Sequence, residues 1–240
     1  MIPTETSPLL AAAARNNADW CAAVCHSHGV PSRFDDAAWS SARRTPPYYP
    51  DAVTLHPGAV PADVVAAVDT ATPGCSIKDS FATLDLAPEG FVELFTAQWI
   101  HRPAEVTAGA TAPPLRAEPV TTAAGLRTWQ TAWHGSEAGP DVFRSALLDH
   151  PSVRVLGLYR GAGLCGGAVL NHGAGVVGLS NLFAIDPADA GAVWASTVAA
   201  AAHHFPGRPL VGYEHGDALV PALASGFDIL GQLRVWLRTT

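Results

Sequence analysis

The stretch Val176-Val-Gly-Leu-Ser-Asn-Leu-Phe-Ala-Ile185, then Asp186-Pro-Ala-Asp-Ala-Gly-Ala192 and an alanine-rich run to Ala202, decides how the chain is read. Its first part is an apolar strand that breaks at a small polar step, Ser180-Asn181, and then resumes. Its second part predicts a helix, with Asp186 as cap and Pro187 at the first helical position. A strand that turns tightly into a helix leaves free backbone N–H groups at the turn, and these form a natural anion site.

The pattern resembles the heart of the GNAT acyltransferase superfamily, where the fourth strand splays and the next helix cradles the diphosphate of coenzyme A. The family's loop reads Arg or Gln, two residues, Gly, one residue, Gly or Ala. Here the same spacing reads Asp186-x-x-Asp189-x-Gly191, with the last Gly matching and two Asp in place of the others. The resemblance implies a mixed α/β sheet and an acyl thioester such as acetyl-CoA as donor, with no metal. It also implies that the backbone of Asn181, Leu182, Phe183 and Ala184 polarises the acyl carbonyl, and that Asp189, Ala190, Gly191 and Ala192 lie against the diphosphate. The two aspartates favour a different state, a helix capped by its own carboxylates. Two like charges ~4 Å apart cost roughly 4 kcal/mol at an effective dielectric of 20, so a diphosphate has to displace these groups or sit against them.

Working outward, 240 residues suffice for one large or two small domains. With 48% apolar and 15% charged residues the chain reads as a soluble globular protein. The formal net charge of −7 argues against a general nucleic-acid binder. The short apolar run from Leu9 to Ala14 is too brief for a membrane span and lacks signal-peptide flanks. Four scattered cysteines, Cys21, Cys25, Cys75 and Cys165, suit a reducing cytoplasm. Lys78 is the only lysine beside thirteen arginines, which marks it as a residue kept against a compositional trend.

In chain order, residues 5–30 predict a helix stopped by Gly29, holding Cys21, Cys25, His26 and His28. Cys21 and Cys25 share a face and His26 lies about 100° around, so core cysteines beside surface histidines are expected rather than a zinc site. Residues 31–50, with Arg43, Arg44, Tyr48 and Tyr49 among prolines, read as a loop-like but ordered surface segment that either binds a ligand or packs across a domain seam. Strand 52–55, helix 64–70, strand 75–81 and a long strand 92–102 follow. Lys78 and Asp79 are neighbours in a strand, so one of them is expected to face a cleft or a partner. Residues 103–114 read as a linker. A complete GNAT-like order is expected beyond it: strand 115–121, helices 123–133 and 141–149, strands 153–159, 164–170 and 176–185, the alanine helix, strand 210–214, helix 218–224 and strand 229–237. The expected division is thus 1–112, an N-terminal helix and truncated GNAT-like half, and 113–240, a full GNAT-like acyltransferase domain.

An internal repeat supports that division. Gly90-Phe91-x-x-Leu94 and Gly226-Phe227-x-x-Leu230 each lead to an arginine, Arg102 and Arg238, and Pro61-Ala62-Asp63 mirrors Pro187-Ala188-Asp189. The chemistry is expected at Tyr213-Glu214-His215-Gly216-Asp217, a polar cluster at a strand end. Glu214 or His215 is the candidate to take a proton from an ammonium, and Tyr213 to protonate a leaving thiolate. A capping Asp217 beside a surface His215 is the bland alternative. Arg44, Tyr48, Tyr49, Lys78, Asp79 and Asn171 are candidates to bind the substrate. Three functions remain open: acyl transfer from CoA or a carrier protein to a small-molecule amine, a non-catalytic GNAT-like module that binds a metabolite, and other acyl chemistry on the same fold. An acyl carrier protein is a candidate partner; nucleic acid and membrane are not.

Overall fold

The computed structural model describes residues 7–104 and 115–239, so most of the expected linker lies outside the described residues. The chain divides into two compact units, Met1–Trp99 with Leu230–Thr240, and Ile100–Ile229. The division falls inside two long strands rather than at the linker, and the last strand is grouped with the N-terminal residues.

The N-terminal unit opens with α1 (Pro8–Ser27), which has proline in its first turn. It ends where Gly29, at φ +67°, lets its own N–H reach His26 O (2.9 Å) and that of Val30 reach Cys25 O (2.9 Å). Cys21 and Cys25 face the core beside Trp20 and Val24, and burial pushes their thiols up to about 11 and about 12. The strands β1 (Arg33–Phe34), β2 (Ala38–Ser40), β3 (Ala52–Thr54), β4 (Ser76–Asp79), β11 (Asp228–Arg238) and β5 (Phe91–Arg102) form its sheet in that order. β3 and β4 run parallel, joined over the helix α2 (Pro61–Ala66). Ala52, Val64, Ile77, Leu86, Phe91 and Trp236 pack into one core there. The loop-like reading of 31–50 is corrected, because β1 and β2 pair antiparallel within it. Strands of two and three residues are too short to show an alternation.

The second unit has the sheet order β10 (Leu210–Glu214), β9 (Val176–Ala184), β8 (Gly163–Gly173), β7 (Val153–Arg160) and β6 (Arg116–Pro119). β9 and β10 are parallel, and the other neighbours are antiparallel. α4 (Ala190–His204) makes the crossover between β9 and β10 and buries Val193, Trp194, Thr197, Val198 and Ala201. Its alanines let it lie close to a core of Leu156, Leu170, Val177, Leu210 and Phe227, where each large apolar side chain contributes roughly 1.5–3 kcal/mol by burial. α3 (Ala123–His134) is capped by Thr122 Oγ1, which accepts from Gly125 N (3.1 Å). The helix expected over 141–149 is only a 3₁₀ turn, Ser145–Asp149. Gln130 Oε1 takes the N–H groups of Val142 (2.8 Å) and Phe143 (2.6 Å), and Phe143 sits edge-on to Trp129 and Trp133. These contacts hold the segment against α3 in a non-helical path.

The succession strand, crossover helix, parallel strand, short helical segment, Gly-Phe and long strand occurs twice, the short segment being a 3₁₀ turn at Ala87–Glu89 in the first copy and a helix at Leu219–Ala224 in the second. Gly90 and Gly226 both sit at φ +82°. Before the first, Gly90 N reaches Ala87 O and Phe91 N reaches Leu86 O; before the second, Gly226 N reaches Leu223 O and Phe227 N reaches Ala222 O. The arginines that end the two long strands are exchanged. Arg238 donates to Glu89 O (2.8 Å), just before Gly90, and Arg102 to Ser225 O (3.1 Å), just before Gly226. A Cβ at Gly90 meets nothing nearer than Arg238 Nη1 at 3.8 Å, so its cost is conformational only. Gly90→Ala is therefore expected to destabilise by about 1–2 kcal/mol, to be measured by denaturant unfolding.

Candidate functional site

Within the second unit the sheet opens where β9 leaves β10. Their ladder consists of Val177↔Leu210 and Gly178↔Val211, after which both strands continue without pairing to each other, to Ala184 and Glu214. The cause is a bulge in β9. β8 pairs Val169 with Ser180 and then Gly167 with Phe183, so Asn181 and Leu182 together oppose Ala168. Asn181 has φ +53°, a left-handed conformation that asparagine tolerates better than most residues. Gly212 lies at the point of parting, where a Cβ would come within 3.1 Å of Leu179 O. Beyond the bulge Ile185 N bonds Cys165 O (2.8 Å). The alternation of a strand then turns the N–H and C=O of Ala184 away from β8, to the side that β10 has vacated.

The packing under this segment leaves no slack. A Cβ on Gly166 would lie 2.3 Å from Phe183 O, and one on Gly167 would lie 2.2 Å from Trp129 Nε1. Trp129 spans the strand edge by donating Nε1–H to Leu156 O (2.8 Å) and meets Phe183 edge-on at 5.2 Å.

At the end of β10 stands the polar cluster. Tyr213 and Glu214 are half-buried; His215 and Asp217 are exposed, with Gly216 between them at φ +55°. Burial pushes the Glu214 carboxyl up to about 7. Among the described residues no side chain or backbone N–H hydrogen-bonds that carboxyl. At the N-terminal end of α4, Asp186 Oδ1 accepts from Ala188 N (2.9 Å) and caps a 3₁₀ turn, Pro187–Asp189. Asp189 makes no cap bond, which corrects the expectation that both aspartates cap the helix. Its carboxylate takes two bonds from Arg160, Nη2 to Oδ1 at 2.8 Å and Nη1 to Oδ2 at 3.2 Å. The hydrogen bond from Arg160 holds that carboxyl below its usual range.

No protein-family model matches the sequence, and no curated protein matches it. Solved structures do match the fold. A GCN5-related N-acetyltransferase from Kribbella flavida aligns over 95% of this chain and 96% of its own, with TM-score 0.63 at 12% identity. A conserved protein of unknown function from Staphylococcus epidermidis aligns over 87% and 94%, with TM-score 0.59 at 10% identity. A GCN5-related N-acetyltransferase from Sphaerobacter thermophilus aligns over 73% and 62%, with TM-score 0.50 at 11% identity. This chain has the GNAT fold.

In that GNAT fold the expected splay of the fourth strand is the parting of β9 from β10. The residues Asn181, Leu182, Phe183 and Ala184 form the bulged edge, and Ala190, Gly191 and Ala192 begin α4. A Cβ on Gly191 would meet nothing within 4 Å, so packing does not require this glycine. The start of α4 does not fit a diphosphate, since it presents Asp186 and Asp189 and the arginine beside it is already paired. Arg160 escaped the sequence reading because its partner lies 29 positions away.

The remaining candidates have internal partners. Arg44 pairs with Asp51 and donates to Asp69 O (2.5 Å) and Thr72 O (2.7 Å). Tyr49 is buried edge-on to Trp20, with ring centroids 6.1 Å apart. Lys78 is buried and donates to Asn17 Oδ1 (2.8 Å); Asp79, also buried, accepts from Leu84 N (2.8 Å) and Phe81 N (3.3 Å). The expectation that one of the pair faces a cleft is thereby corrected: both are core groups of the N-terminal unit. Asn171 is buried in β8 opposite Gly178, while Tyr48 is exposed at φ +72°. Among the described residues no group of His, Cys, Asp and Glu is placed to hold a metal ion, and no helix is long and apolar enough to cross a membrane.

The raised Glu214 carboxyl makes folding pH-dependent with a definite sign. Between its ordinary value of 4.5 and about 7 the folded chain holds a proton that the unfolded chain has lost. Stability contributed by the neutral group therefore falls as pH rises through that window, by up to ~1.4 kcal/mol for each pH unit crossed. Glu214→Gln is expected to flatten this fall, unfolding at a higher temperature than the parent at pH ~8 and at nearly the same temperature at pH ~4.5. Thermal melts across that range measure it.

Proposed function

We propose that the chain is an acyltransferase that moves an acyl group from a thioester to the amine of a small molecule. The observation that carries this reading is Glu214: a half-buried carboxyl without a partner among the described residues, poised near neutral pH, ending the strand that borders the opening. A general base works best when its pKa lies near the working pH. Glu214 takes a proton from the ammonium, directly or through water, and the neutral amine attacks the thioester carbon. The N–H of Ala184, turned to the open side of β9, is suited to stabilise the carbonyl oxygen as charge builds there. Tyr213, next in sequence, is the candidate donor of a proton to the departing thiolate.

Thiol release from acetyl-CoA and from acetyl-pantetheine, followed over a panel of primary amines, tests the proposal. Glu214→Gln is expected to lower kcat by about 10²–10⁴-fold with a small change in KM, and parent activity is expected to rise with an apparent pKa near 7. Absence of amine-dependent thiol release from either donor overturns it.

The donor reading that the loop favours is a thioester not anchored by its diphosphate at α4, such as one on a carrier protein. Asp186 holds a turn N–H there and Asp189 occupies Arg160. Asp189→Asn removes one negative charge and releases Arg160. It is expected to tighten acetyl-CoA binding about tenfold, or ~1.4 kcal/mol, by calorimetry. Micromolar or tighter acetyl-CoA binding by the parent shows instead that the conventional donor is accepted with this loop as it stands.

A further inference from the structure

The geometry points to a second binding site, in the N-terminal unit, for a small organic carboxylate. An open cavity of about 320 Å³ lies there, lined by Ser32, Arg33, Ser40, Ala66 and Ala67 among others. That volume is at the lower end of the range for small-molecule sites. Arg33 and Ser40 are direct cross-strand partners in the β1–β2 ribbon, so their side chains leave the same face about 5 Å apart. Ser40 is 1% exposed, and its hydroxyl has no hydrogen-bond partner among the described residues. A buried hydroxyl left unpaired is destabilising, and most such groups in folded proteins are satisfied. Arg33 likewise makes no ion pair or hydrogen bond among the described residues, although the chain pairs Arg15, Arg44, Arg116, Arg144 and Arg160 with carboxylates.

The frame around the cavity is fixed rather than loose. Ser41, next to Ser40, donates to Pro31 O (3.0 Å) and Arg43 O (2.7 Å) and accepts from Arg43 N (3.2 Å). These bonds tie the segment before β1 to the segment after β2. A planar guanidinium with a hydroxyl beside it matches a carboxylate, which accepts two N–H bonds from arginine and a third from Ser40. The alanine wall of Ala66 and Ala67 suits a short apolar tail. A phosphate dianion needs more donors than one guanidinium and two hydroxyls supply, and a cation finds no acid among the lining residues.

Calorimetric titration of the full chain with butyrate, with butyramide, butylamine and inorganic phosphate as comparisons, tests the site. Butyrate is expected to bind saturably and the neutral and cationic analogues not to bind. Arg33→Gln is expected to weaken butyrate by about tenfold or more. Ser40→Ala removes an unsatisfied group, so it is expected to melt no lower than the parent while binding butyrate more weakly, which separates lost binding from lost folding. Failure of butyrate to saturate, or equal affinity in Arg33→Gln, overturns the site. Tighter binding of phosphate than of butyrate overturns the carboxylate assignment.

Discussion

The constraint on which the candidate site depends is that β9 keeps its pairing with β8 while giving up β10. A regular strand cannot do both, because a strand that turns away from one neighbour carries its other ladder with it. The extra residue at Asn181 solves this locally. The left-handed φ of +53° absorbs the turn, and pairing with β8 resumes at Phe183 and Ala184. The unpaired edge costs ladder hydrogen bonds, and what offsets the loss is packing from below. Gly166 and Gly167 let β8 press directly against the backbone of Phe183 and the indole of Trp129. The opening is therefore rigid on one side, which is the property needed where a backbone N–H must already be in place when charge develops on an oxygen.

The same arrangement in the N-terminal unit shows what happens when the opening is not kept. β3 and β4 also share two parallel pairs, Ala52↔Ile77 and Val53↔Lys78. Just past them Thr54 Oγ1 accepts from Ser80 N (2.8 Å), the Asp79 carboxylate takes Leu84 N, and Thr83 Oγ1 donates to Pro57 O (3.0 Å). In the N-terminal unit, then, side chains bridge the position that corresponds to the β9–β10 opening. α2 spans six residues against fifteen in α4, which leaves less helix to hold two strands open. The buried Lys78 and Asp79 belong to this closure and its supporting core rather than to a cleft.

Most of the fold was legible because its signals are local. The glycines at Gly90 and Gly226 mark left-handed turns, Pro61 and Pro187 mark helix starts, and the long strands carry enough residues to show their pattern. β1 and β2 were not legible, being two and three residues long. The 141–149 segment looked helical because its sequence does not reveal that Gln130 and two tryptophans hold it. Side-chain pairings were the least legible feature: Lys78 meets Asn17 across 61 positions, and Arg160 meets Asp189 across 29. Glu214 could be picked out as a polar residue at a strand end, but its raised pKa could not, because desolvation is a property of the packed chain.

The two acidic features of the second unit differ in what surrounds them. Asp189 is ionised and neutralised by Arg160, so it presents little net field and mainly occupies donors that an anion would need. Glu214 has no such partner among the described residues, and its environment favours the uncharged form until neutral pH. A cationic amine arriving beside Glu214 reverses that preference, since an ammonium within a few ångströms stabilises the carboxylate that burial disfavours. Under the proposed function, proton transfer in such a complex would relieve two costs at once, the desolvated negative charge and the charge on the nucleophile. Pairing Glu214 permanently with a basic side chain would lower its pKa and forfeit this behaviour, so the half-buried carboxyl at the end of β10 suits the proposed role only while it has no basic partner.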